Sequence, residues 1–587
     1  MGASARPANA YAWAGAAPAG EVIEAGLTAL GIELGSTRVK AVLTGPDLAV
    51  LGTGVFDWEN QMVDGLWSYS LDAVWQALRG AYRDLARDVA ERHGRELRRV
   101  GAIGLSAMMH GYLAFGADDE LLVPFRTWRN TNTERAAAAL SARLGANIPL
   151  RWSVAHLYQA ALEAEPHVGS VRFLTTLAGY VHWQLTGERV LGVGDASGMV
   201  LIGADADVER TALAACDELV AALPQARAYP WALSPDGPSA AGPGGRGPVG
   251  PGGPEAGAPV GAGGPGGRGI GGLLPKVYPA GVVAGRLTAA GAAALDPSGK
   301  LEPGAPVCPP EGDAGTGMVA TGAVAPRTGN VSVGTSIFAM IVLERALGGA
   351  HAEIDLVTTP AGDPVAMVHC NNGASELGAW CGLFGEFARI QGQSVEDAAV
   401  FGALFREALR GEPDGGGLTA FNYLAGEPIT GWAHGVPLFL RTPGSTFSLA
   451  NFMRAQLFAV FATLRLGLDV LAGEQVAVDR LFAHGGVFQT EGVAQRLLAA
   501  ALNSPVTVGE TAGEGGAWGA AILAWYMLRG GERDLATYLA EDVLAAARTT
   551  TLAPNPVDVA GFQTYLARFS AALPAVRAAV AAERPAW

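Results

Sequence analysis

A short hairpin built around glycine and hydroxyl residues occurs twice, about half a chain apart. At Leu30–Leu43, two apolar segments with the alternation of β-strands flank Gly35-Ser36-Thr37, the first turn. At Asn330–Leu343, two similar segments flank Gly334-Thr335-Ser336, the second turn. Backbone N–H groups in such turns form a concavity suited to phosphate oxygens, and Lys40 adds positive charge near the first turn. One copy alone is more often a simple hairpin loop, but the pair predicts two related halves that bind one polyphosphate.

Composition restricts the class of protein. The 587 residues are 50% hydrophobic, which is enough for two domains with separate cores. The net charge of −15 argues against nucleic acid or an anionic membrane as a partner, and no uninterrupted apolar stretch reaches membrane-spanning length. The four cysteines form no CxxC pair, so we expect neither a disulfide framework nor a zinc site and infer a cytoplasmic location.

Two segments of low complexity are predicted to be disordered. Residues 1–25 are rich in Ala, Gly and Pro and lack the basic start and apolar run of a signal peptide, which indicates a disordered leader. Residues 234–272 are almost entirely Gly, Pro and Ala. Such a segment buries too little apolar surface to offset its ordering entropy, so we interpret it as a flexible insert without chemistry.

Polar residues follow a short predicted strand at Val100–Leu105. They include Met109-His110-Gly111, and open α/β sheets bind ligands at the carboxyl ends of their strands. A lone histidine is as often structural as functional there. Further along, residues 124–135 combine Trp128, Arg129 and Asn130, the aromatic, guanidinium and amide groups that suit a polyhydroxylated ligand. Taken alone, this segment is equally compatible with a polar loop before a helix.

Asp313 lies between a loop and a run of small residues that can form a helix, just upstream of the second turn. An aspartate in this place is often an N-cap. It is also placed as a base for a sugar hydroxyl would be, since phosphoryl transfer depends on positioning and on an acceptor for the hydroxyl proton.

The second half contains a predicted long apolar helix at Leu449–Leu471 and two glycine-rich segments. Gly485-Gly486 follow a short strand, and the run from Gly516 to Ala521 begins a helix of small residues. Backbone without Cβ atoms lets a planar base approach closely, although glycine-rich turns are common and do not specify the ligand.

In order and spacing, these motifs resemble the FGGY carbohydrate kinase family, a branch of the actin-like ATPase superfamily. The two turns resemble its two phosphate motifs, and Met109-His110-Gly111 resembles the sugar-contacting Met-His-Gly of its xylulokinase branch. The resemblance implies an α/β fold with two actin-like (ribonuclease H-like) ATPase domains flanking a cleft for nucleotide and sugar. The domains are expected at residues 26–324 and 325–587, with the sugar site in the first and the nucleotide site in the second.

The resemblance also implies roles for particular residues and for ATP and Mg²⁺ as cofactors. Asp313 corresponds to the catalytic base, and Glu33 stands where the family has a magnesium-associated aspartate. The expected sugar contacts are Met109, His110, Gly111, Trp128, Arg129 and Asn130. The expected nucleotide and phosphate contacts are Gly35, Ser36, Thr37, Lys40, Gly334, Thr335, Ser336, Gly485, Gly486, Gln495, Gly516 and Gly519.

Three departures from the family pattern indicate a divergent branch. Glu33 replaces the usual aspartate, Asn130 stands where the sugar loop usually carries an acid, and Phe458 replaces a glutamate of the central helix. We therefore expect phosphorylation of a ketopentose such as xylulose on its terminal hydroxyl, with ribulose or another sugar of the family as alternatives. An actin-like ATPase switch and an inactive sugar sensor are alternatives of another class, and a homodimer is left open.

Overall fold

The chain forms two compact units. The computed structural model describes residues 17–203, 206–232, 269–432, 434–509, 515–545 and 549–582. The first unit comprises Met1–Ala320, Val357–Asp363 and Glu514–Ala545, and the second comprises Thr321–Leu356, Pro364–Gly513 and Ala546–Trp587. Two short segments late in the chain therefore return to the first unit.

Helices and strands alternate through both units. The helices are α1 (Ala19–Glu24), α2 (Leu71–His93), α3 (Glu134–Leu144), α4 (Ser153–Leu162), α5 (Leu177–Thr186), α6 (Val193–Ala196), α7 (Arg210–Ala221), α8 (Ala289–Leu295), α9 (Asp313–Thr321), α10 (Ser375–Ile390), α11 (Asp397–Ala408), α12 (Leu449–Gly473), α13 (Val493–Leu502), α14 (Gly515–Arg529), α15 (Leu535–Tyr538) and α16 (Pro556–Ala582). Short 3₁₀ helices occur at Pro166–Ser170, Ala226–Ala228, Ile270–Leu273, Pro428–Thr430 and Gly486–Gln489, and a π-helical turn at Leu539–Val543.

The strands are short and mostly buried. They are β1 (Ala29–Leu34), β2 (Arg38–Thr44), β3 (Val50–Asp57), β4 (Gln61–Val63), β5 (Leu66–Ser68), β6 (Ala102–Ala107), β7 (Leu113–Phe115), β8 (Phe173–Thr175), β9 (Val190–Gly192), β10 (Lys276–Tyr278), β11 (Gly285–Arg286), β12 (Pro306–Val307), β13 (Glu311–Gly312), β14 (Thr328–Val333), β15 (Ile337–Val342), β16 (Asp355–Thr358), β17 (Pro364–Cys370), β18 (Thr419–Phe421), β19 (Leu438–Leu440), β20 (Arg480–His484), β21 (Val506–Gly509) and β22 (Thr549–Leu552).

The main sheets of the two units share one arrangement of strands. In the first unit the order is β11-β12-β6-β1-β2-β3, with β13 also paired to β6. In the second it is β16-β17-β15-β14-β20-β21-β22. The first strand of each predicted hairpin pairs antiparallel with the second and parallel with a later strand. The order β6-β1-β2-β3 is thus repeated as β20-β14-β15-β17, which confirms the predicted pair of related α/β halves.

Helix α2 covers β2 and β3 of the first sheet, as its amphipathic pattern predicts. Ser70 caps the helix, since its Oγ accepts a hydrogen bond from the N–H of Ala73 at 3.1 Å. The helix ends at Gly94, which has φ of 64° and so takes the left-handed conformation that favours glycine. Side chains of the covering face, such as Val74 and Leu85, are fully buried.

The predicted long apolar helix is α12, which lies in the core of the second unit. It has the length and composition of a membrane span, but 67% of its most apolar window is buried inside the protein, as in a core helix. Phe458 is fully buried and packs edge-on against Phe562, with ring centroids 5.1 Å apart, and against Tyr565 at 5.2 Å. Phe458, which replaces the glutamate of the family pattern, is therefore part of an aromatic cluster in the core.

The prediction of a disordered leader at residues 1–25 is wrong for its last residues, which form helix α1 (Ala19–Glu24). Residues 1–16 lie outside the described residues, but α1 is helical. Val22 and Ile23 on this helix are buried in the core of the first unit. These two apolar side chains supply the burial that an ordered segment requires.

The predicted insert, residues 234–272, also extends too far at its carboxyl end. Residues 234–268 lie outside the described residues. Ile270 is buried, and its N–H donates a hydrogen bond to Oδ1 of Asp217 at 2.8 Å. An apolar side chain and a backbone hydrogen bond thus order the segment that follows.

Glycine lets α14 lie directly on β1 and β6. A Cβ atom on Gly31 would lie 1.9 Å from the carbonyl oxygen of Ala517, and one on Gly104 would lie 1.9 Å from that of Ala520. Both distances are far below van der Waals contact. The backbone of the helix therefore touches the backbone of the sheet, which only glycine at these strand positions allows.

We expect Gly104→Ala to destabilise the first unit by about 1–3 kcal/mol or more, because the added methyl group forces the helix off the sheet. The unfolding midpoint in urea measures this effect. Gly378→Ala is the control, since nothing lies within 4 Å of its added Cβ atom. Its midpoint should stay or rise slightly, and an unchanged midpoint for Gly104→Ala would contradict the packing described here.

Candidate functional site

Aromatic side chains brace the first turn. The indole N–H of Trp58 donates to the carbonyl of Gly35 at 2.7 Å, and the hydroxyl of Tyr69 donates to the carbonyl of Ser36 at 2.5 Å. The rings of Trp58 and Tyr69 stack with centroids 4.3 Å apart. The indole N–H of Trp128 donates to Oγ of Ser36 at 3.2 Å. The predicted sugar loop and the predicted phosphate turn are therefore hydrogen-bonded neighbours.

A row of polar side chains crosses four neighbouring strands of the first sheet. Glu33 on β1 stands opposite Lys40 on β2 and opposite Ser106 on β6, and Ser106 stands opposite Glu311 on β13. Directly opposed residues share one face of a sheet, so these four side chains lie side by side. Oγ of Ser106 is also 2.8 Å from Oγ1 of Thr316 on α9. Neither Ser106 nor Glu311 was predicted as part of the site.

Glu33 is a partly buried carboxylate at the start of this row. Its Oε2 accepts a hydrogen bond from the N–H of Ala517 at 3.2 Å. Burial, reinforced by the negative charge of Asp313, raises the pKa of Glu33 to about 7, and Lys40 opposes this shift. Because burial disfavours the ionised form of Glu33, a bound cation would stabilise that form.

The residues present fit a magnesium ion held together with a substrate. Among the described residues, no group of three or more His, Cys, Asp or Glu side chains forms a dedicated metal site. Magnesium bound to nucleotide phosphates needs only one or two protein carboxylates and keeps several waters. Glu33 can supply such a ligand, and its raised pKa agrees with this role.

Asp313 is the first residue of α9 and is partly exposed. Its Oδ1 accepts hydrogen bonds from the N–H of Ala314 at 3.0 Å and of Met109 at 3.2 Å. Within the described part of the chain, Oδ2 accepts no hydrogen bond and is left for a ligand. Burial raises the pKa of Asp313 to about 6, although the two N–H groups oppose the shift. One oxygen anchors the carboxylate, and the other can receive a proton near neutral pH.

Met109, His110 and Gly111 form a sharp turn after β6. His110 has φ of 69° and Gly111 has φ of 92°, so both adopt left-handed conformations, which are uncommon for a residue with a side chain. Nδ1 of His110 lies 3.2 Å from the carbonyl oxygen of Gly198. Backbone strain of this kind persists where surrounding contacts enforce it, often at ligand sites.

The predicted sugar loop is held by its own contacts. The side chain of Asn130 is buried; Oδ1 accepts from the N–H of Trp67 at 2.8 Å, and Nδ2 donates to the carbonyl oxygens of Trp67 and Thr127 at 2.8 and 3.1 Å. Asn130 therefore braces the loop, and the structure does not present its amide to a ligand. The guanidinium of Arg129 lies over the ring of Trp67, 4.6 Å from its centroid, and remains exposed. Of this loop, Trp128 and Arg129 stay available to a sugar.

The second turn lies in the second unit and is supported by the chain after β17. The N–H of Gly373 donates to the carbonyl of Thr335 at 2.7 Å, and the N–H of Ala374 donates to that of Gly334 at 2.8 Å. A Cβ atom on Gly373 would lie 2.4 Å from the carbonyl oxygen of Gly334. The carbonyl groups of Gly334 and Thr335 are thus hydrogen-bonded to the segment after β17. The turn is closed by the carbonyl of Ser336, which accepts from the N–H of Gly334 at 2.9 Å.

Gly485 and Gln495, both predicted to contact the nucleotide, serve the second sheet. Gly485 has φ of 121°, and a Cβ atom there would lie 2.0 Å from the carbonyl oxygen of Val333. The buried amide of Gln495 donates to the carbonyls of Val506 and Thr550 at 2.9 and 2.8 Å. Gln495 therefore ties β21 to β22 and offers no free donor. Gly486, next to Gly485, begins a 3₁₀ turn and has nothing within 4 Å of an added Cβ.

Gly516 and Gly519, also predicted to contact the nucleotide, lie in the first unit. A Cβ atom on Gly516 would lie 2.5 Å from Oε1 of Glu33, and one on Gly519 would lie 2.0 Å from the carbonyl oxygen of Thr316. These glycines let α14 approach Glu33 of the polar row and Thr316 of α9. Their small size is explained by packing inside this unit.

Asp195 and Glu311 are buried carboxyl groups for which no role was predicted. Asp195 is fully buried, and its Oδ2 accepts from the hydroxyl of Thr176 at 2.5 Å, while Oδ1 has no hydrogen-bond partner among the described residues. Burial raises the pKa of Asp195 to about 7. Burial and the neighbouring Asp195 raise the pKa of Glu311 well above its usual range. They lie in short segments without periodic pattern, so spacing gave no signal for them.

We expect the first unit to lose stability as pH rises, because these acids bind their protons more tightly when folded. For Asp195, the folded pKa near 7 exceeds the unfolded value of about 4, so the folded state holds the extra proton between these pH values. Stability then falls between about pH 4 and pH 7 and stays low above. Urea unfolding at pH 5 and pH 8 measures the difference.

The variant Asp195→Asn should reduce this pH dependence by on the order of 1–3 kcal/mol, since the amide has no proton to lose. Replacement of the exposed Asp118 by Asn is the control and should leave the pH dependence as in the wild type. An identical pH dependence in wild type and Asp195→Asn would show that Asp195 is ionised in the folded protein.

Comparison with known proteins gives one family and several similar structures. Residues 329–528 match the model of the FGGY family of carbohydrate kinases, C-terminal domain. No curated protein sequence matches the chain significantly. A solved structure of a xyloylose kinase from Brucella ovis is 22% identical, with a TM-score of 0.70 over 94% of this chain and 99% of that chain.

Two further solved structures are similar over nearly their whole length. A xylulose kinase from Rhodospirillum rubrum is 19% identical, with a TM-score of 0.69 over 94% of this chain and 99% of that chain. A gluconate kinase from Lactobacillus acidophilus is 16% identical, with a TM-score of 0.69 over 95% of this chain and 98% of that chain. At these identities the likeness concerns the fold.

The family match covers the parts of the chain that carry the second set of motifs. It begins in β14, includes the second turn and Gly485-Gly486, and ends in α14. The similar structures share the fold of both units, including the region before the match. Residues 329–528 therefore match the FGGY family of carbohydrate kinases, and both units have the fold of the similar sugar kinase structures.

Proposed function

We propose that this kinase transfers the γ-phosphate of ATP to the terminal hydroxyl of a ketopentose of the xylulose type. The observation that carries the proposal is the state of Asp313, whose carboxylate is anchored through one oxygen next to Met109 and open at the other. A base for a sugar hydroxyl needs this combination of fixed position and free acceptor.

Asp313 receives the proton of the sugar hydroxyl as the oxygen attacks the γ-phosphorus. We propose that the first turn, with Lys40, and the second turn are each a phosphate-binding element of their own unit, and that Gly485-Gly486 contact the nucleoside. Glu33 would hold Mg²⁺, which would supply positive charge beside the transferred phosphoryl group. Trp128 offers a flat apolar face to the sugar, and Met109 and His110 fix its orientation.

Several sugars of the family remain alternatives to xylulose. Ribulose differs from it in the configuration of one hydroxyl, and the solved relatives also include a kinase for gluconate. The exposed guanidinium of Arg129 beside Trp128 favours gluconate as the second candidate, because a guanidinium can pair with the carboxylate of a sugar acid. The buried state of all four cysteines agrees with a reducing, cytoplasmic location.

Coupled ATP turnover across a panel of xylulose, ribulose, gluconate and glycerol tests the proposal. We expect xylulose to give the highest kcat/KM and the rate without sugar to be low. If gluconate is the substrate, Arg129→Ala should lower the turnover of gluconate, because the guanidinium that pairs with its carboxylate is lost. The turnover of xylulose, which has no carboxylate, should not change. ATP turnover that no sugar stimulates would remove the kinase proposal and favour an ATPase switch.

A further inference from the structure

Glu311 is a fully buried carboxyl group with both oxygens engaged by one short helix. Its Oε2 accepts from the N–H of Asp195 at 2.9 Å, and its Oε1 accepts from the N–H of Gly194 at 3.4 Å. A Cβ atom on Gly192 would lie 2.1 Å from Oε1, and one on Gly194 would lie 2.3 Å from Oε2. The chain around α6 is thus shaped to receive this carboxylate.

The segment that Glu311 holds leads directly to His110. The N–H of Gly198 donates to the carbonyl of Asp195 at 3.0 Å, and the carbonyl of Gly198 lies 3.2 Å from Nδ1 of His110. A Cβ atom on Gly198 would lie 2.7 Å from the same nitrogen. A shift of α6 would therefore move the hydrogen-bond partner of His110.

The strand that carries Glu311 contacts the same turn from the other side. A Cβ atom on Gly312 would lie 2.0 Å from Cγ of Met109, so the methionine side chain covers this glycine. The next residue, Asp313, accepts a hydrogen bond from the N–H of Met109. Met109 and His110 are consequently held between β13 and α6, and Glu311 joins these two elements.

We propose that Glu311 is a positioning residue, which fixes the distance between the sugar-contacting turn and Asp313. The inference rests on the proposed function, since it assumes that this turn and this aspartate meet one sugar hydroxyl. Glu311 does not contact the substrate in this account, because its oxygens face backbone N–H groups. It acts by keeping the hydroxyl within reach of the free oxygen of Asp313, where a misplacement of about 1 Å costs up to about 100-fold in rate.

The chemistry of the two N–H groups explains why a carboxyl side chain is needed. Both groups are donors, so both partners must be acceptors. In Glu311→Gln, the amide NH₂ faces one backbone N–H, and one of the two hydrogen bonds is lost. In Glu311→Ala, both hydrogen bonds are lost and a cavity opens. The two variants therefore form a graded series, with one hydrogen bond lost in Glu311→Gln and both lost in Glu311→Ala.

We expect kcat/KM for xylulose to fall about 10-fold in Glu311→Gln and up to about 100-fold in Glu311→Ala. The KM for ATP should change less than about twofold, since the first turn does not depend on Glu311. The matched control is Asp217→Asn, which alters another buried carboxylate that accepts a backbone N–H, from Ile270. It should lower the melting temperature and leave both kinetic constants unchanged.

Hydrogen exchange measured by mass spectrometry tests the same idea without any turnover. In Glu311→Gln, peptides covering residues 108–112 and 193–199 should exchange about tenfold faster, whereas Asp217→Asn should affect only the peptide around residue 270. If no sugar is phosphorylated by the wild type, the proposed function fails, and the exchange result still decides whether Glu311 holds the turn. Unchanged exchange at 108–112, or a lowered melting temperature with unaltered kinetic constants in the folded fraction, would overturn the proposal.

Discussion

Replacement of Asp313 by Asn is expected to lower kcat for sugar phosphorylation by about 10²- to 10⁴-fold. The amide keeps an acceptor for the N–H groups of Met109 and Ala314, so the turn should keep its place. It cannot take the proton of the attacking hydroxyl. Because the substitution leaves the two turns proposed to bind phosphate unchanged, the affinity for ATP should remain within about threefold of the wild type.

The measurement is a coupled assay with saturating xylulose and ATP, together with ATP binding by calorimetry. Asp296→Asn is the matched control, because Asp296 is a buried aspartate of the first unit that accepts hydrogen bonds from the N–H groups of Ser298 and Lys300. It should lose stability but retain kcat. A kcat for Asp313→Asn within threefold of the wild type would show that another group accepts the proton.

The pH dependence provides a second reading of the same group. The active form of a general base is ionised, and the pKa of Asp313 is about 6. We therefore expect kcat/KM to rise with pH up to about pH 6 and to level off above it. A rise that is absent between pH 5 and pH 7 would contradict the role of Asp313.

Replacement of Asp558 by Asn is expected to destabilise the second unit by about 3–5 kcal/mol. Asp558 is buried; Oδ1 accepts from Nη2 of Arg454 at 2.5 Å and Oδ2 from Nε of Arg496 at 2.6 Å. Arg454 is 1% exposed, so loss of the carboxylate leaves a guanidinium charge in the core without its counterion.

The free energy of unfolding in urea, followed by signals of the second unit, measures this loss. Asp397→Asn is the control, because Asp397 pairs with Arg389 at the exposed surface, where an ion pair contributes about 0–1 kcal/mol. The double variant Arg454→Met/Asp558→Leu should recover most of the stability, since it removes both charges together. Equal effects of Asp558→Asn and Asp397→Asn would contradict the importance of burial.

Local patterns in the sequence predicted the framework of both units. The two hairpins follow from the alternation of apolar residues over short windows, and the buried helix α12 follows from its long apolar run. Such patterns reflect contacts that each element makes along its own length. They are present in any single sequence without knowledge of the partners.

Contacts between distant segments were not predictable in the same way. Gly516 and Gly519 were predicted to contact the nucleotide because they are small. In the fold their neighbours are Glu33 and Thr316, which are distant from them in the sequence. Asn130 was predicted to bind the sugar through its side-chain amide, but the amide oxygen accepts a hydrogen bond from the N–H of Trp67. Glu311 carried no signal, since its function depends on two backbone N–H groups of α6. The sequence gives the chemical groups of a polar residue in a loop, but only the fold shows which group it binds.

The central proposal is that the γ-phosphoryl group of ATP is transferred to the terminal hydroxyl of a ketopentose, with release of ADP. Phosphorus NMR of the product from xylulose, ATP and Mg²⁺ tests it most directly. We predict a phosphomonoester signal coupled to the terminal CH₂ group, formed in equal amount with ADP and about 10²- to 10⁴-fold more slowly with Asp313→Asn. Formation of ADP with inorganic phosphate alone, at the same rate with and without sugar, would contradict it.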